Sequence, residues 1–209
     1  VYKGNKNLAE KAFAESFKCD DSNIDVYFDF AKHHSYYKNI DESNVVLNAI
    51  LESNEQYDEA YRLLGNNYFQ VNDIELAFEY LKKAYEINPL NTKLLNELGL
   101  VVKELYDFET AKFLLREGIT NDATDASSHF NLGLIELLLS EYENGWKHFE
   151  WREYLITSEK KVTLPFPMPK YDGENLEGKV LFVHHEQGFG DTIQFARYLP
   201  ELLKRGAKL

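Results

Sequence analysis

Along most of this chain apolar residues recur with the period of a helix, and the pattern then repeats as a block. Between Asp58 and Asn91 they fall at Tyr61, Leu64 and Tyr68, give way to a polar turn, and resume at Ala77, Leu81 and Ala84. That spacing predicts two amphipathic helices, and Pro89 closes the second. Gly65 and Ala77 are small where the two would cross. Such a pair cannot bury its apolar sides alone and needs copies of itself. A shift of 34 residues, from Asp58 to Thr92, supplies one. There Leu95, Leu98, Gly99 and Val102, then Ala111, Leu115 and Gly118, take the same places. A second shift brings in Leu132, Gly133, Gly145, Phe149 and Arg152. Backwards, Tyr27, Phe30, Ala31, His34, Ser43, Leu47 and Ile50 match more loosely, and Ala9, Phe13 and Ser16 read as the second helix of a half unit. The expected division is a half repeat at 1–23 and repeats at 24–57, 58–91, 92–125 and 126–155.

The period stops after Arg152. Alternating prolines in Leu164-Pro165-Phe166-Pro167-Met168-Pro169 predict an extended connector over 156–178. Phe166 and Met168 suggest that it lies against something. Val180 to Val183 is a short apolar run of the kind buried on both faces of a parallel sheet. A glycine-bearing loop follows, from Glu186 to Asp191. Thr192 to Arg205 reads as a helix that Pro200 kinks or restarts, with Gly206 as its C-cap. Ala207 to Leu209 looks like the entry to another strand. Strand, loop, helix and strand predict the opening of a βαβ unit over 179–209. Because the chain opens on Val1 and stops within an apparent strand, it reads as a piece of a longer protein. The expected fold class is mainly α, a helical solenoid followed by the first βαβ elements of a truncated α/β domain.

Charge narrows the partners. The net charge is −12, and from Leu164 onward six Lys/Arg balance six Asp/Glu, so the whole excess lies in the helical region. An acidic helical region repels phosphate backbones, which argues against nucleic acid. No apolar run approaches the roughly 18 residues of a membrane span. Cys19 is the single cysteine, so no internal disulfide can form; this suits a reducing compartment, and a cytoplasmic location is expected. Asp20 and Asp21 beside Cys19 disfavour a thiolate.

The 34-residue period, with Leu-Gly in the first helix, Ala in the second and Pro at its end, resembles the tetratricopeptide repeat over roughly residues 5–152. The resemblance implies an α-solenoid whose first helices line a concave groove. In that family the second, fifth, ninth, twelfth and thirteenth places of a unit tend to face the groove. On this sequence they give Phe28, Lys32 and Tyr36; Arg62, Asn66, Phe69 and Gln70; Lys93, Asn96, Lys103 and Glu104. In the last unit they give Phe130, Leu134 and Leu137, expected to pack on the connector. Aromatics beside cations and amides suit a protein or peptide partner.

The stretch from Asp172 to Pro200, with Glu-Gln-Gly-Phe-Gly-Asp-Thr-Ile-Gln-Phe-Ala-Arg-Tyr-Leu-Pro at its end, resembles the junction in bacterial proteins that fuse these repeats to a glycosyltransferase-like domain. Trp146, Phe149, Trp151 and Arg152 resemble the end of the last repeat there. That domain is similar to lipopolysaccharide heptosyltransferases, with two Rossmann-like halves. The resemblance implies Asp191 as general base toward an acceptor hydroxyl. It implies Gln187, Gly188, Gly190 and His185 as a substrate loop, and a nucleotide sugar as donor bound mainly by a second half. On that reading the intact protein transfers a sugar and this stretch alone does not. The alternative is a non-catalytic scaffold for protein partners. From the residues alone, Asp191 serves equally as a helix N-cap or first-turn acid. His184 and His185 lack a third ligand for a metal. Eukaryotic O-linked N-acetylglucosamine transferase, a related fusion, holds peptides with asparagine at the sixth place of each unit. Here those places are Asp29, Leu63, Glu97 and Asn131, so only one matches.

Overall fold

The structure is a computed structural model that describes residue 13, residues 23–155, 169–184 and 188–209, the side chain of Asp191 excepted. The expected half repeat therefore lies outside the described residues except for Phe13, and so does most of the proline-rich connector. The chain forms two compact units, residues 1–155 and 156–209.

The first unit is a row of helical hairpins: α1 (Ile24–Tyr36) with α2 (Ile40–Ser53), α3 (Asp58–Gln70) with α4 (Ile74–Ile87), α5 (Thr92–Glu104) with α6 (Phe108–Asn121), and α7 (Ala126–Leu138) with α8 (Tyr142–Phe149), followed by the short α9 (Arg152–Leu155). Helix starts are written locally. Asn23, Asp73, Asn91, Asp107 and Asp125 each accept a hydrogen bond from a backbone N–H of the first turn, at Asp25, Leu76, Leu94, Thr110 and Ser128 respectively. The first helices end in the same way. Lys38, Asn72, Tyr106 and Ser140, spaced at the repeat period, take φ of 62–65°. In the second hairpin Asn72 N–H reaches Phe69 O (3.1 Å) and Asp73 N–H reaches Tyr68 O (2.9 Å), the pair of bonds that closes a Schellman turn.

The core follows the apolar stripes. Ala31, Leu47, Leu64, Ala77, Leu81, Leu95, Ala111, Leu115 and Leu132 are fully or almost fully buried. The eighth place of each repeat is Ala31, Gly65, Gly99 and Gly133, where first and second helices of a hairpin press together. A Cβ at Gly133 would sit 2.5 Å from Phe149 N and 2.9 Å from Gly145 O, so backbone meets backbone there. A fully buried amide links the first two hairpins. Asn67 Nδ2 donates to Ser43 Oγ (2.9 Å) and Asn44 Oδ1 (2.7 Å), and Ser35 Oγ donates to Asn67 Oδ1 (2.5 Å).

In the second unit the expectation of βαβ elements is corrected. Among the described residues there is no strand, only one isolated parallel bridge between Val180 and Lys208. Two hydrogen bonds hold it, Leu181 N–H to Lys208 O (2.8 Å) and Lys208 N–H to Lys179 O (2.9 Å). The physical reason is cover. A parallel strand is stable when both faces are buried, but Val180 is 79% exposed and Phe182 and Val183 are also exposed. The described architecture is all-helical, and the second unit contributes α10 (Phe189–Ala196) and α11 (Leu199–Lys204). Pro200 stands in the first turn of α11. Gly206, at φ 88°, closes its end with Gly206 N–H to Leu203 O (3.0 Å) and Ala207 N–H to Leu202 O (3.2 Å).

Candidate functional site

The first helices of neighbouring hairpins bond to one another through side chains. Arg62 on α3 is the best-formed link. Its Nη1 donates to Glu97 Oε1 on α5 (2.6 Å), while Nε and Nη2 donate to Glu59 Oε2 (3.0 and 2.6 Å). Burial works against the Arg62 charge, but Glu97 and then Glu59 outweigh it and hold the guanidinium above its ordinary value. Burial is also the largest influence on Glu97, raising its carboxyl despite Arg62. Asn66 approaches that carboxylate without closing a well-formed hydrogen bond to the buried Oε2. Further along, Asn131 Nδ2 on α7 donates to Asn96 Oδ1 on α5 (2.8 Å), leaving the Asn96 amino group for another partner. At the near end Gln70 Nε2 donates to Ser35 Oγ (3.2 Å).

The residues expected to face a groove thus fall into two groups. Phe28 is buried, with its ring edge-on to Tyr57 at 5.5 Å. Lys32 pairs with Asp29 (2.6 Å) and lies over the Phe28 ring. Lys103 pairs with Glu104 (2.9 Å). Together with Arg62 these are committed within the chain. Tyr36, Gln70 and Lys93 are exposed, and Asn66, Phe69 and Asn96 are half-buried. These six remain accessible along α1, α3 and α5. Phe130 packs on Phe149 at 5.4 Å, and Leu137 lies against Gly145, whereas Leu134 stays exposed.

The sixth-place residues explain why an asparagine ladder does not form. Glu97 is taken by Arg62 and Leu63 is in the core, so Asn131 alone carries an amide there, and it is spent on Asn96.

One cluster escaped the sequence. Glu136, fully buried on α7, accepts from Arg116 Nη2 (3.2 Å) and bonds His148 Nδ1 (2.7 Å). Beside it the His129 ring stacks flat on Trp151 at 3.9 Å and its Nε2 contacts Ala123 O (3.2 Å). Burial lowers the His129 pKa from its ordinary value. The cluster fastens α7 to α8 and to the turn before α9. The contacting pairs Arg116–Glu136, Glu136–His148 and His129–Trp151 lie 20, 12 and 22 residues apart with no shared period, so only the fold joins them.

Of the residues expected to carry sugar transfer, His185 and Gln187 lie outside the described residues. Asp191 lies in α10, and its side chain is not described. Gly188 precedes α10 with φ −65° and offers no side-chain cap. Nothing stands within 4 Å of a Cβ built at Gly188 or Gly190, so neither glycine marks a close approach among the described atoms. Among the described residues no group of three or more His, Cys, Asp or Glu is placed to hold a metal, and no helix is long and apolar enough to cross a membrane.

No protein-family model matches the chain. Over 122 residues it is 29% identical to BBSome complex member BBS4 of Bos taurus, covering 58% of this chain and 23% of that protein. Over 166 residues it is 26% identical to Protein FlbA of Caulobacter vibrioides, covering 76% of this chain and 27% of that one. The chain therefore spans about a quarter of the length of the curated relatives it matches. Among solved structures it is similar to MamA, with TM-score 0.59, 16% identity and coverage of 74% of this chain and 95% of the other. It is similar to YrrB, described as a TPR protein with an unusual peptide-binding site, with TM-score 0.58, 20% identity and coverage of 67% and 72%. It is also similar to PilF of Pseudomonas aeruginosa, with TM-score 0.64, 16% identity and coverage of 72% and 69%. At these identities the likeness shows the fold. The chain carries a tetratricopeptide-like helical-repeat solenoid, and none of these similarities points to a fused glycosyltransferase domain.

Proposed function

We propose that this chain is a protein-interaction scaffold that holds an extended segment of a partner along the first-helix face of α1, α3, α5 and α7. The observation that carries the reading is the division of labour on that face. Lys32, Arg62 and Lys103 are already paired, with Arg62 forked between Glu59 and Glu97, while Lys93 stands exposed. Amides and rings at Asn66, Asn96, Gln70, Phe69 and Tyr36 remain accessible beside them. Amides can match the alternating N–H and C=O of an extended backbone, and aromatics can receive its side chains. Because the ion pairs hold the surface in place before a ligand arrives, less ordering is left for binding. The likeness to YrrB, whose description names a peptide-binding site, adds to the reading.

The test is selection of peptides from a displayed random library on the full chain, followed by titration against variants. Asn96→Ala and Asn66→Ala each remove one hydrogen-bonding amide, about 0.5–1.5 kcal/mol, or roughly a twofold to twelvefold weaker Kd. Lys93→Glu reverses an exposed charge on the same face. Selected peptides that bind all three variants as tightly as the parent chain would place the site elsewhere.

A further inference from the structure

The two edges of the repeat row differ in chemistry. Turns that join one hairpin to the next carry mostly polar residues: Asn54, Glu55 and Gln56, then Asn88, Pro89, Leu90 and Asn91, then Asp122, Ala123, Thr124 and Asp125. In the last three repeats exposed apolar side chains stand in or beside the turns within hairpins: Val71, Leu105 with Tyr106, and Leu138 with Tyr142. They are, or lie within two residues of, Asn72, Tyr106 and Ser140, the left-handed residues of those hairpins, and so share one edge of the row.

Tyr106 marks this edge most strongly. The left-handed position at a helix end is usually glycine, sometimes asparagine, because a side chain there costs roughly 1–2 kcal/mol. Asn72 fits that rule. Tyr106 does not: it holds φ 63° and is 81% exposed. Its ring stands nearly perpendicular to that of Phe108 at 6.2 Å. A strained, solvent-facing aromatic is poorly explained by the stability of the isolated chain.

Charge decides what would cover the row. Carboxylates stand beside it at the start of each later second helix: Asp73 and Glu75, Asp107 and Glu109, Glu141 and Glu143. Lys38 in the first turn is exposed, but the cations beside the later turns are paired. Lys112 is paired with Glu109 and Glu141, Lys103 with Glu104, and Lys147 with Glu143. Negative first-helix ends and positive second-helix starts meet on this edge and offset one another, so the side chains set the sign.

We infer that the edge formed by the turns within hairpins is a second docking surface, and that it takes a cationic amphipathic helix of a partner protein. Neighbouring helical layers lie about 8–10 Å apart. In an α-helix, residues i and i+7 are separated by about 10.5 Å along the axis and share a face. Apolar residues at that spacing meet Val71, the Leu105–Tyr106 pair and Leu138 in turn, and flanking lysines or arginines meet the carboxylates. This surface is separate from the first-helix face and does not depend on it.

The probe is a synthetic Leu/Lys helix of about 20 residues with leucine at i, i+3, i+4 and i+7, titrated into the full chain by fluorescence anisotropy. Its controls are a scrambled peptide of the same composition and phosphatidylserine vesicles. Tyr106→Asn suits the left-handed turn, so its melting temperature equals or exceeds that of the parent chain. It should bind the helix about tenfold more weakly, the loss expected for an aromatic anchor. Asn96→Ala should bind it unchanged. Binding of Tyr106→Asn within twofold of the parent overturns the inference, as does equal affinity for the scrambled peptide. Capture of the anionic vesicles in preference to the helix also overturns it, by pointing to a lipid surface. A lowered melting temperature for Tyr106→Asn does the same, by assigning Tyr106 a structural role.

Discussion

Replacing Gly133 with alanine tests the packing on which the whole row depends. A Cβ there would lie 2.5 Å from Phe149 N, 2.9 Å from Gly145 O and 2.9 Å from His148 C. Carbon atoms in ordinary contact stand about 3.5–4.0 Å apart, so α7 and α8 would have to separate by roughly 1 Å. All three obstacles are backbone and cannot rotate away. Overpacking of this kind costs about 1–3 kcal/mol, and the upper end applies when nothing yields. Alanine returns about 1 kcal/mol through its helix propensity. The net loss is about 2 kcal/mol. Gly99 occupies the same place one repeat earlier, but its Cβ would meet Leu115 Cγ at 3.1 Å and Cδ2 at 3.3 Å, side-chain contacts that a small shift of Leu115 relieves. There the two effects roughly cancel. For a chain of this size about 2 kcal/mol corresponds to roughly 4–8 °C in Tm. Repeat arrays can unfold in pieces, so urea and thermal curves from circular dichroism need amide exchange on α7 and α8 beside them. Losses for Gly133→Ala and Gly99→Ala within about 0.5 kcal/mol of each other would refute the reasoning, because the backbone contact would then not be tight.

Three further perturbations follow from single clusters. Asn67→Ala removes the acceptor of the buried Ser35 hydroxyl and a donor to Ser43 Oγ, which keeps its bond to Ala31 O, and should cost about 1–3 kcal/mol in urea unfolding, whereas Gln70→Ala, at the exposed margin of the same network, should cost less than about 1 kcal/mol. Arg62→Ala leaves Glu97 buried beside Glu59 without its cation. Discounted for the remaining access of solvent to the pair, the loss is about 2–3 kcal/mol, and Glu97→Leu in the same chain should restore most of it. His129 has a folded pKa below the ordinary 6.5, so the unfolded chain takes up the proton first as pH falls. Its contribution is therefore complete above that value and is lost as pH drops through it toward the folded pKa. His129→Phe keeps a ring over Trp151 and should flatten the fall in Tm between neutral and mildly acidic pH; an unchanged pH profile would remove His129 as its source.

Much of the solenoid was legible because its determinants are local and periodic. Leu64, Leu81, Leu98 and Leu115 announce the buried stripes, and Gly65, Gly99 and Gly133 the crossings. What periodicity hides is which polar groups satisfy one another. Arg62 and Phe28 both read as groove residues, yet Arg62 is consumed by Glu59 and Glu97, and Phe28 is covered by Tyr57. The Glu136–His148 and His129–Trp151 contacts join residues with no common spacing. In the second unit a β-rich run from Val180 to Val183 suggested a strand, but one bridge without cover on its faces does not make a ladder. Local propensity is a weak guide wherever tertiary burial decides the outcome.

The central claim is that a partner segment lies along the first helices. Hydrogen–deuterium exchange of the full chain, with and without a peptide selected on it, tests this most directly. Protection and slowed opening concentrated in α1, α3, α5 and α7, with α2, α4 and α6 exchanging as before, is the result the account predicts. Protection confined to the second helices, or to α10 and α11, would contradict it.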